Sequence, residues 1–580
     1  MIKKIISRTL DEPLPDLGDD VHAILQRIYS VRGVRSLTEL DRSLANLQPY
    51  NTLMDIDAAA NIIVDAVKNE RRILIIADFD CDGATSCAVA VRGLRALGAG
   101  KVNYLVPNRF EYGYGLTPEI VEVAREFTPD LLITVDNGIS SLAGVARAKE
   151  LGMQVIVTDH HLQGEQLPEA DAIVNPNRKN DPFKSKNLAG VGVIFYVLLA
   201  CRAKLREQDW FGQQGRQEPN LATLLDLVAL GTVADLVPLD ANNRILVEQG
   251  LRRIRGGHAC AGIDALLALA NRRLDRVVAS DMGFAIGPRL NAAGRLEDMS
   301  VGIECLLSDS PDQARALAIK LDTLNQERKS IEADMRDQAF AILETIQADT
   351  LTDEPPVAIC LFDENWHQGV IGILASRIKE HYHRPVIIFA EGLNGEIKGS
   401  ARSIAGVHIR DVLDAVATLH PGLINKFGGH AMAAGLSIQR EALETFTQAF
   451  RQEVMRWVDE DDLQGCIHTD GKLEHKDLSM ELAELLRASG PWGQGFPEPV
   501  FDGDFTVLQQ RIVGERHLKM VLQPADSRLN IDAIAFNAID NPCPEVNDQI
   551  RIAYTLDVNE FRGNRSLQLM VDTIQLQTTC

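Results

Sequence analysis

The sequence predicts a multidomain α/β protein: a parallel-sheet domain, a long connecting helix, a second α/β domain and a small β-barrel. Three patterns carry this expectation. Short, continuous apolar runs alternate with helical stretches within residues 51–310, helical spacing persists through residues 311–348, and short alternating strands separated by Gly, Asn and Pro follow residue 461. At 580 residues the chain exceeds one ordinary core, so two to four domains are expected.

Residues 1–50 read as a helical, partly acidic lead-in. RRILIIA, from Arg71, is an unbroken apolar run, as in a strand buried on both faces. It ends in DFDCDG, and the helical stretch ATSCAVAVRGLRALG follows. The unit recurs as DLLITV, DNG and a helix through LAGVARAKELG; a third strand, MQVIVT, leads into Asp159-His160-His161. Strands alternating with helices imply a parallel, doubly wound sheet, whose ligands lie beyond the carboxyl ends of the strands. All three polar clusters stand at such ends, so they are expected to meet in one crevice. LATLLDLVALGTVADLVPL reads as a buried helix that stops at Gly231-Thr232 and delivers Asp235.

Within residues 311–348, Leu317, Leu321, Leu324, Ile331, Met335, Ile342 and Ile346 keep helical spacing, enough for roughly 54 Å of helix. Residues 349–460 open after Pro355-Pro356 with the strands VAICLF and PVIIFA, and carry NWHQGVIG, KGSARS and FGGHAMAAG. Residues 461–580 contain KMVLQ, IRIAYTLDV and LQLMVDTIQ, which suit a small barrel such as the five-stranded oligonucleotide-binding type.

Composition narrows the function classes. Hydrophobic residues make up 46% and charged residues 24%, the balance of a soluble globular chain. The N-terminal stretch turns acidic before any sustained apolar run, and no segment approaches the roughly 18 apolar residues of a membrane span. A cytoplasmic protein without membrane association is expected. Nine scattered cysteines without a CxxC pair argue against a disulfide framework and against structural zinc. The net charge of −22 argues at face value against nucleic acid as substrate. Arg252, Arg253, Arg255, Arg272, Arg273, Arg276, Arg289 and Arg295 cluster locally, however, and a basic channel in an acidic exterior would answer that objection.

Asp78, Asp80 and Asp82 alternate, so in an extended loop they project to one side, and Gly83 lets the chain turn into the helix. Three carboxylates this close repel each other unless cations neutralise them. Asp136, Asp159 and Asp235 add oxygen ligands and His160 with His161 adds nitrogen, a set that favours Mn²⁺ or Mg²⁺ over zinc or copper. Two cations about 3.5–4 Å apart would stabilise both the entering and the leaving oxygen of an attack at phosphorus. The plain alternatives for the triplet are a calcium loop or a solvated turn; an EF-hand would need glutamate where Val89 stands.

DFDCDG, VDNGIS, TDHH and GTVAD, in this order, resemble the four motifs of the DHH phosphoesterase family. The resemblance implies that Asp78 and Asp80 hold one divalent cation, that Asp82, His160 and Asp235 hold a second, and that Asp136 bridges them. It implies that His161 faces the scissile phosphate and that Asp159 orients the histidines. Cys81 stands where a smaller residue such as Ala is commoner in the family.

PNRFEYGYG, GPRLNAAGR and residues 349–460 are similar to the RecJ branch of that family, its DHH-associated domain included, and GPWGQGFPEP resembles that branch's lead into its oligonucleotide-binding domain. By this likeness Arg109, Arg289, Ser400 and Arg402 would grip a 5′ phosphate, with Arg295 beside them in a Gly/Ala-rich stretch open to a ligand. Gly428, Gly429 and His430 would contact the nucleotide near the metals. The plain alternatives are a surface salt bridge for Arg109, a hairpin for KGSARS and a helix-packing turn for FGGHAMAAG. The function implied is a metal-dependent 5′→3′ exonuclease degrading single-stranded DNA to 5′ mononucleotides in repair and recombination, acting as a monomer. Its implied partners are the DNA strand, a single-strand-binding protein and a repair helicase. The alternatives are a DHH-type phosphatase or oligonucleotide or cyclic-dinucleotide hydrolase, and a non-catalytic replication scaffold.

Overall fold

A computed structural model describes the chain except residues 1–2, 10–14, 109–111, 113–114, 351–354, 515, 539–542, 562 and 578–580. The chain forms two compact units: Leu10–Asn325 with Leu486–Glu498, and Met1–Thr9 with Gln326–Leu485 and Pro499–Cys580. Strand β1 (Lys4–Ser7) belongs to the second of these.

The first unit is built on a parallel sheet of β2 (Ile73–Ala77), β3 (Val102–Leu105), β4 (Leu131–Val135), β5 (Gln154–Thr158) and β6 (Ala172–Val174), in the order β3-β2-β4-β5-β6. Every residue of the central strands β2 and β4 is buried, which is why those runs show no polar alternation. One face packs Leu74, Ile76, Leu132, Val155 and Val157 against Leu116, Ile120, Val121, Val145 and Ala148. Such a core side chain contributes about 1.5–3 kcal/mol on burial. The helices Cys81–Leu97 and Gly190–Glu207 are also largely buried.

Three readings of this region are corrected. The opening fifty residues are not simply helical: beyond β1 the described residues among them hold one α-helix, Ala23–Val31, and short 3₁₀ turns. The helix Leu225–Ala234 runs through Gly231 and Thr232 instead of stopping there. Gly231 serves close packing, since a Cβ there would lie 2.2 Å from Thr85 Oγ1 and 2.7 Å from Asp82 Oδ1. Asp82 lies in the first turn of the helix Cys81–Leu97, so residues 78–82 are not one extended strip with all three carboxylates on one side.

The chain passes from the first unit to the second within one helix of 40 residues, Pro311–Thr350. Among the described residues, no helix is long and apolar enough to cross a membrane.

The second unit contains a mixed sheet of β7 (Ile359–Asp363), β8 (Val386–Glu391), β9 (Glu396–Arg402), β10 (Lys426–Gly429) and β11 (Ala433–Gln439), ordered β10-β11-β9-β8-β7. KGSAR falls inside β9, between β8 and β11, and FGGHAMAAG forms the β10–β11 hairpin. Met335, Ala339 and Leu343 of the long helix join Ile371, Leu374 and Ile378 over Ile359, Leu361, Val386 and Ile388 on one side of this sheet. Strand β12 (Cys466–Thr469) pairs in parallel with β1. The remaining strands, β13 (Phe501–Val513), β14 (His517–Pro524), β15 (Ile531–Ala535), β16 (Gln549–Phe561) and β17 (Asn564–Leu576), close a five-stranded barrel in the order β13-β14-β15-β17-β16. Phe501, Phe505 and Tyr554 fill the barrel core; Phe536 is exposed.

Candidate metal centre

The acidic residues converge because each follows an element that ends at the same edge of the parallel sheet. Asp78 follows β2, Asp136 follows β4, and Asp159, His160 and His161 follow β5; Asp235 caps the helix Leu225–Ala234. Ligand atoms fall into groups within 4.8 Å: Asp78, Asp80 and Asp136; Asp82, His160 and Asp235; and Asp136, His160 and His161. His160 Nε2 stands 3.1 Å from Asp136 Oδ1, 3.5 Å from Asp235 Oδ2 and 4.0 Å from Asp82 Oδ2.

Backbone donors fix several of these groups. Asp82 accepts from the amides of Gly190 (2.6 Å) and Val191 (3.0 Å), at the start of the helix Gly190–Glu207. A Cβ at Gly190 would lie 2.5 Å from Cβ of Asp136, so only glycine lets that helix end approach so closely. Asp136 itself adopts a left-handed φ of 62°, and its amide donates to Thr158 at 3.0 Å. Asp80 caps its helix by accepting from Gly83 at 3.0 Å. Asp159 accepts from the amides of His160 (2.7 Å) and His161 (3.1 Å), from His161 Nδ1 (2.7 Å) and from the Ile139 amide (2.9 Å).

Burial in company of like charges governs the protonation of the centre. Burial, and then the charge of Asp80, push the Asp82 carboxyl up to about 7. Burial and the neighbouring aspartates push Asp136 and Asp235 well above the ordinary carboxylate range. For His161, burial opposes the charged ring, but the hydrogen bond and charge of Asp159, with Asp235 and Asp78, raise it to about 9. Asp159 moves the other way: burial opposes its charge, but the hydrogen bond and charge of His161, the charge of His160 and the Ile139 amide together lower it. A buried group of carboxylates that cannot all ionise without countercharge fits a pair of hard divalent cations, with oxygen donors and one imidazole as the donor set.

Several positioning residues escape the sequence motifs. Asn177 Nδ2 donates to the His160 carbonyl at 2.6 Å, and Asn175 Nδ2 to the His161 carbonyl at 2.9 Å. Both follow β6 in a turn, and nothing in VNPNR marks them beyond turn-forming composition. Asn137 Nδ2 ties the ends of β2 and β4 by donating to Ile76 (3.1 Å) and Val135 (2.9 Å).

GPRLNAAGR departs from expectation. It is a helix, Gly287–Leu296, and its small residues pack against the acidic loop instead of opening toward a ligand. A Cβ at Gly294 would lie 1.9 Å from the Phe79 carbonyl, and Asn291 Oδ1 accepts the Cys81 amide at 2.8 Å. Arg289 is held by Asp322 (2.8 Å) and the Ala285 carbonyl (2.5 Å); Arg295 is half-buried in the last turn of the same helix. The expected basic cluster is largely neutralised too. Arg252 and Arg255 face Glu248, Arg272 faces Asp281, and Arg273 faces Asp275. Arg109 lies outside the described residues.

In the second unit, Ser400 and Arg402 project from one face of β9. Arg402 Nη1 donates to Ser400 Oγ (3.2 Å) and to the Ala401 carbonyl (2.8 Å); among the described residues no carboxylate pairs with it. Burial alone lowers its pKa. The helix Ile371–Tyr382 begins beside it, and a Cβ at Gly372 would lie 2.9 Å from Arg402 Nη2 and 3.0 Å from Ser400 Oγ. Gly428, Gly435 and Ser400 stand in register across β10, β11 and β9. No atom lies within 4 Å of a Cβ at Gly428 or Gly435, so the strands are bare there. Gly429 is required by the hairpin, with φ 148° and the Ala433 carbonyl 2.4 Å from any added Cβ. The His430 amide closes the turn on Ala433 at 2.8 Å. A half-buried guanidinium with neutral partners beside a helix N-terminus suits an anion. Gly372 was not among the residues singled out from the sequence.

Comparison with known proteins agrees with both regions. Residues 72–232 match the DHH family N-terminal domain, 354–456 the DHHA1 domain and 469–573 the RecJ OB domain. The chain is 54% identical to the single-stranded-DNA-specific exonuclease RecJ of Salmonella typhimurium, over 99% of each chain. It is 53% identical to that of Escherichia coli, over 98% of each. Among solved structures, RecJ of Thermus thermophilus with Mn²⁺ superposes with a TM-score of 0.78 at 30% identity, covering 96% of this chain and 76% of that one. The Mg²⁺ form gives 0.72 at 28% identity, over 96% and 75%. Identity above half, sustained end to end, is a relationship of the whole chain and not of one shared domain: the chain belongs to the RecJ family.

Proposed function

We propose that the chain is a two-metal exonuclease that degrades single-stranded DNA from a 5′ end and releases 5′ mononucleotides. The observation that carries this reading is the grouping of Asp78, Asp80 and Asp136 beside Asp82, His160 and Asp235, with His160 Nε2 3.1 Å from Asp136. The first group would hold one Mn²⁺ or Mg²⁺, the second another, and Asp136 would serve both. When bound, such a pair supplies an activated water and stabilises charge on the entering and leaving oxygens.

The chain's own residues do the rest. Asp159 holds Nδ1 of His161 and so fixes the ring, whose raised pKa keeps a proton available for the phosphate. Ser400, Arg402 and the amide of Gly372 offer donors for a terminal phosphate, and the bare strands at Gly428 and Gly435 leave room for a nucleotide. Gly429 and His430 shape that hairpin, while Arg109, Arg289 and Arg295 remain candidate phosphate contacts. For Arg289 this role requires leaving Asp322. Similarity to single-stranded-DNA-specific exonucleases supports single-stranded DNA as substrate; a role in repair and recombination in the cytoplasm, action as a monomer, and a single-strand-binding protein and a helicase as partners complete the proposal.

The test is incubation with Mn²⁺ and 5′-labelled single-stranded DNA, duplex DNA, pyrophosphate or a dinucleotide. Release of mononucleotides from the long single strand is the expected result. Turnover of pyrophosphate or dinucleotide alone would overturn it, and binding without cleavage would favour a scaffold.

A further inference from the structure

The segment Leu486–Glu498, which carries GPWGQGFPE, stands apart from its neighbours in the chain. The residues on both sides of it belong to the second unit, whereas the segment itself belongs to the first. It is fastened there by a ring stack. The Trp492 and Phe496 centroids lie 5.1 Å apart at 15°, with Tyr29 at 6.0 and 6.1 Å. The Arg244 guanidinium lies 4.3 Å above Phe496. The Ser489 carbonyl accepts from Tyr29 Oη (2.9 Å) and Arg42 Nη2 (2.6 Å), and the Pro497 carbonyl from Arg32 Nε (2.7 Å).

What the segment grips is the turn that follows Asp235. The Leu239 amide donates to the Gln494 carbonyl at 2.7 Å. A Cβ at Gly493 would lie 2.7 Å from Leu239 Cδ1, and one at Gly495 would lie 3.1 Å from Pro238 Cβ. Arg244 joins the two, since Nη1 donates to the Leu239 carbonyl at 2.9 Å while its plane covers Phe496. Between Asp235 and this anchor stands Leu236, exposed and at a left-handed φ of 61°. That conformation is unfavourable for leucine and persists only where the chain on both sides is held. The helix Leu225–Ala234 holds one side, and the segment holds the other.

We infer that Leu486–Glu498 is a strap that sets the direction of the Asp235 carboxylate, with Trp492, Gly493 and Phe496 as positioning residues for cation binding. This rests on the reading of Asp235 as a cation ligand. Ligand-orienting partners of this kind are typically worth 10–100-fold in metal affinity, so a loss of about tenfold is expected.

The experiment titrates Mn²⁺ into the metal-free full chain, reading free Mn²⁺ by electron paramagnetic resonance, for wild type, Gly493→Ala, Trp492→Ala, Trp492→Phe and Asp235→Asn. Single-strand binding in EDTA serves as the control. Gly493→Ala and Trp492→Ala are expected to weaken one of two Mn²⁺ sites about tenfold, with Trp492→Phe near wild type and strand binding in EDTA unchanged. Wild-type Mn²⁺ affinity in folded Gly493→Ala, alongside a weakened Asp235→Asn, would overturn the strap. Unaltered Mn²⁺ binding in Asp235→Asn would instead overturn the ligand reading beneath it. Should the alanine variants fail to fold, hydrogen exchange on wild type decides: the Leu239 amide is expected to be protected, and exchange at the rate of an unprotected amide would refute the strap.

Discussion

The metal centre and the Arg402 face are opposite solutions to the same electrostatic problem. In the first unit, carboxylates are gathered beyond what their surroundings neutralise, although Asp82 has two backbone amides and Asp159 has four donors. In the second, among the described residues, one half-buried guanidinium is bonded to a hydroxyl and a carbonyl and pairs with no carboxylate. One region suits cations and the other an anion. The difference also separates their expected roles: the first region governs chemistry, and the second governs which end of the strand is held.

Breaking the first region is expected to have the largest effect. Asp136→Ala should lower cleavage by roughly three orders of magnitude or more while single-strand binding survives, as measured by mononucleotide release and by gel shift in EDTA. Activity within tenfold of wild type would refute its shared role. Arg402→Ala should leave cleavage competent yet raise KM roughly 10–100-fold for 5′-phosphorylated strands and far less for 5′-hydroxyl strands. Equal losses on both would place Arg402 outside the phosphate contact. Arg402→Lys should recover only part of the effect, since one ammonium cannot reproduce the fork.

Asp159→Asn sharpens the line between ligand and positioning residue. It removes the charge that holds His161 protonated, so the ring should titrate below about 9, and activity should fall roughly 10–100-fold with Mn²⁺ stoichiometry retained. An unchanged His161 titration by NMR would contradict that arrangement.

The smallest effect is on stability. Asp82 has a folded-state pKa of about 7, above its ordinary 3.8, so in metal-free protein its contribution is fully present below about pH 4 and is lost as pH rises through 7. Asp82→Asn cannot ionise. Its metal-free Tm should therefore gain on wild type between pH 5 and pH 8, by a few degrees at most for a chain of this size. A Tm difference that is flat over that interval would argue against the buried, crowded carboxylate.

Much of the centre was legible because like charges at successive strand ends have few explanations, and because β2, β4 and β5 are unbroken apolar runs. The edge strands β3 and β6 were harder to see, since β3 is half exposed and β6 spans only Ala172–Val174. Residue types also mislead where their partners are distant. Arg289 reads as an open phosphate contact, whereas Asp322, on another helix, already holds it. Gly294 reads as an opening until the Phe79 carbonyl fills the space. Asn291, Asn175 and Asn177 act through single hydrogen bonds to backbone far away in sequence, and no spacing announces that.

The most direct measurement of the central claim is the number of Mn²⁺ ions bound per chain and their magnetic coupling by electron paramagnetic resonance, in wild type and Asp136→Ala. Two spin-coupled ions in wild type, with coupling lost in the variant, are the expected result. A single Mn²⁺ in wild type, or coupling that survives Asp136→Ala, would contradict a two-metal centre bridged by Asp136.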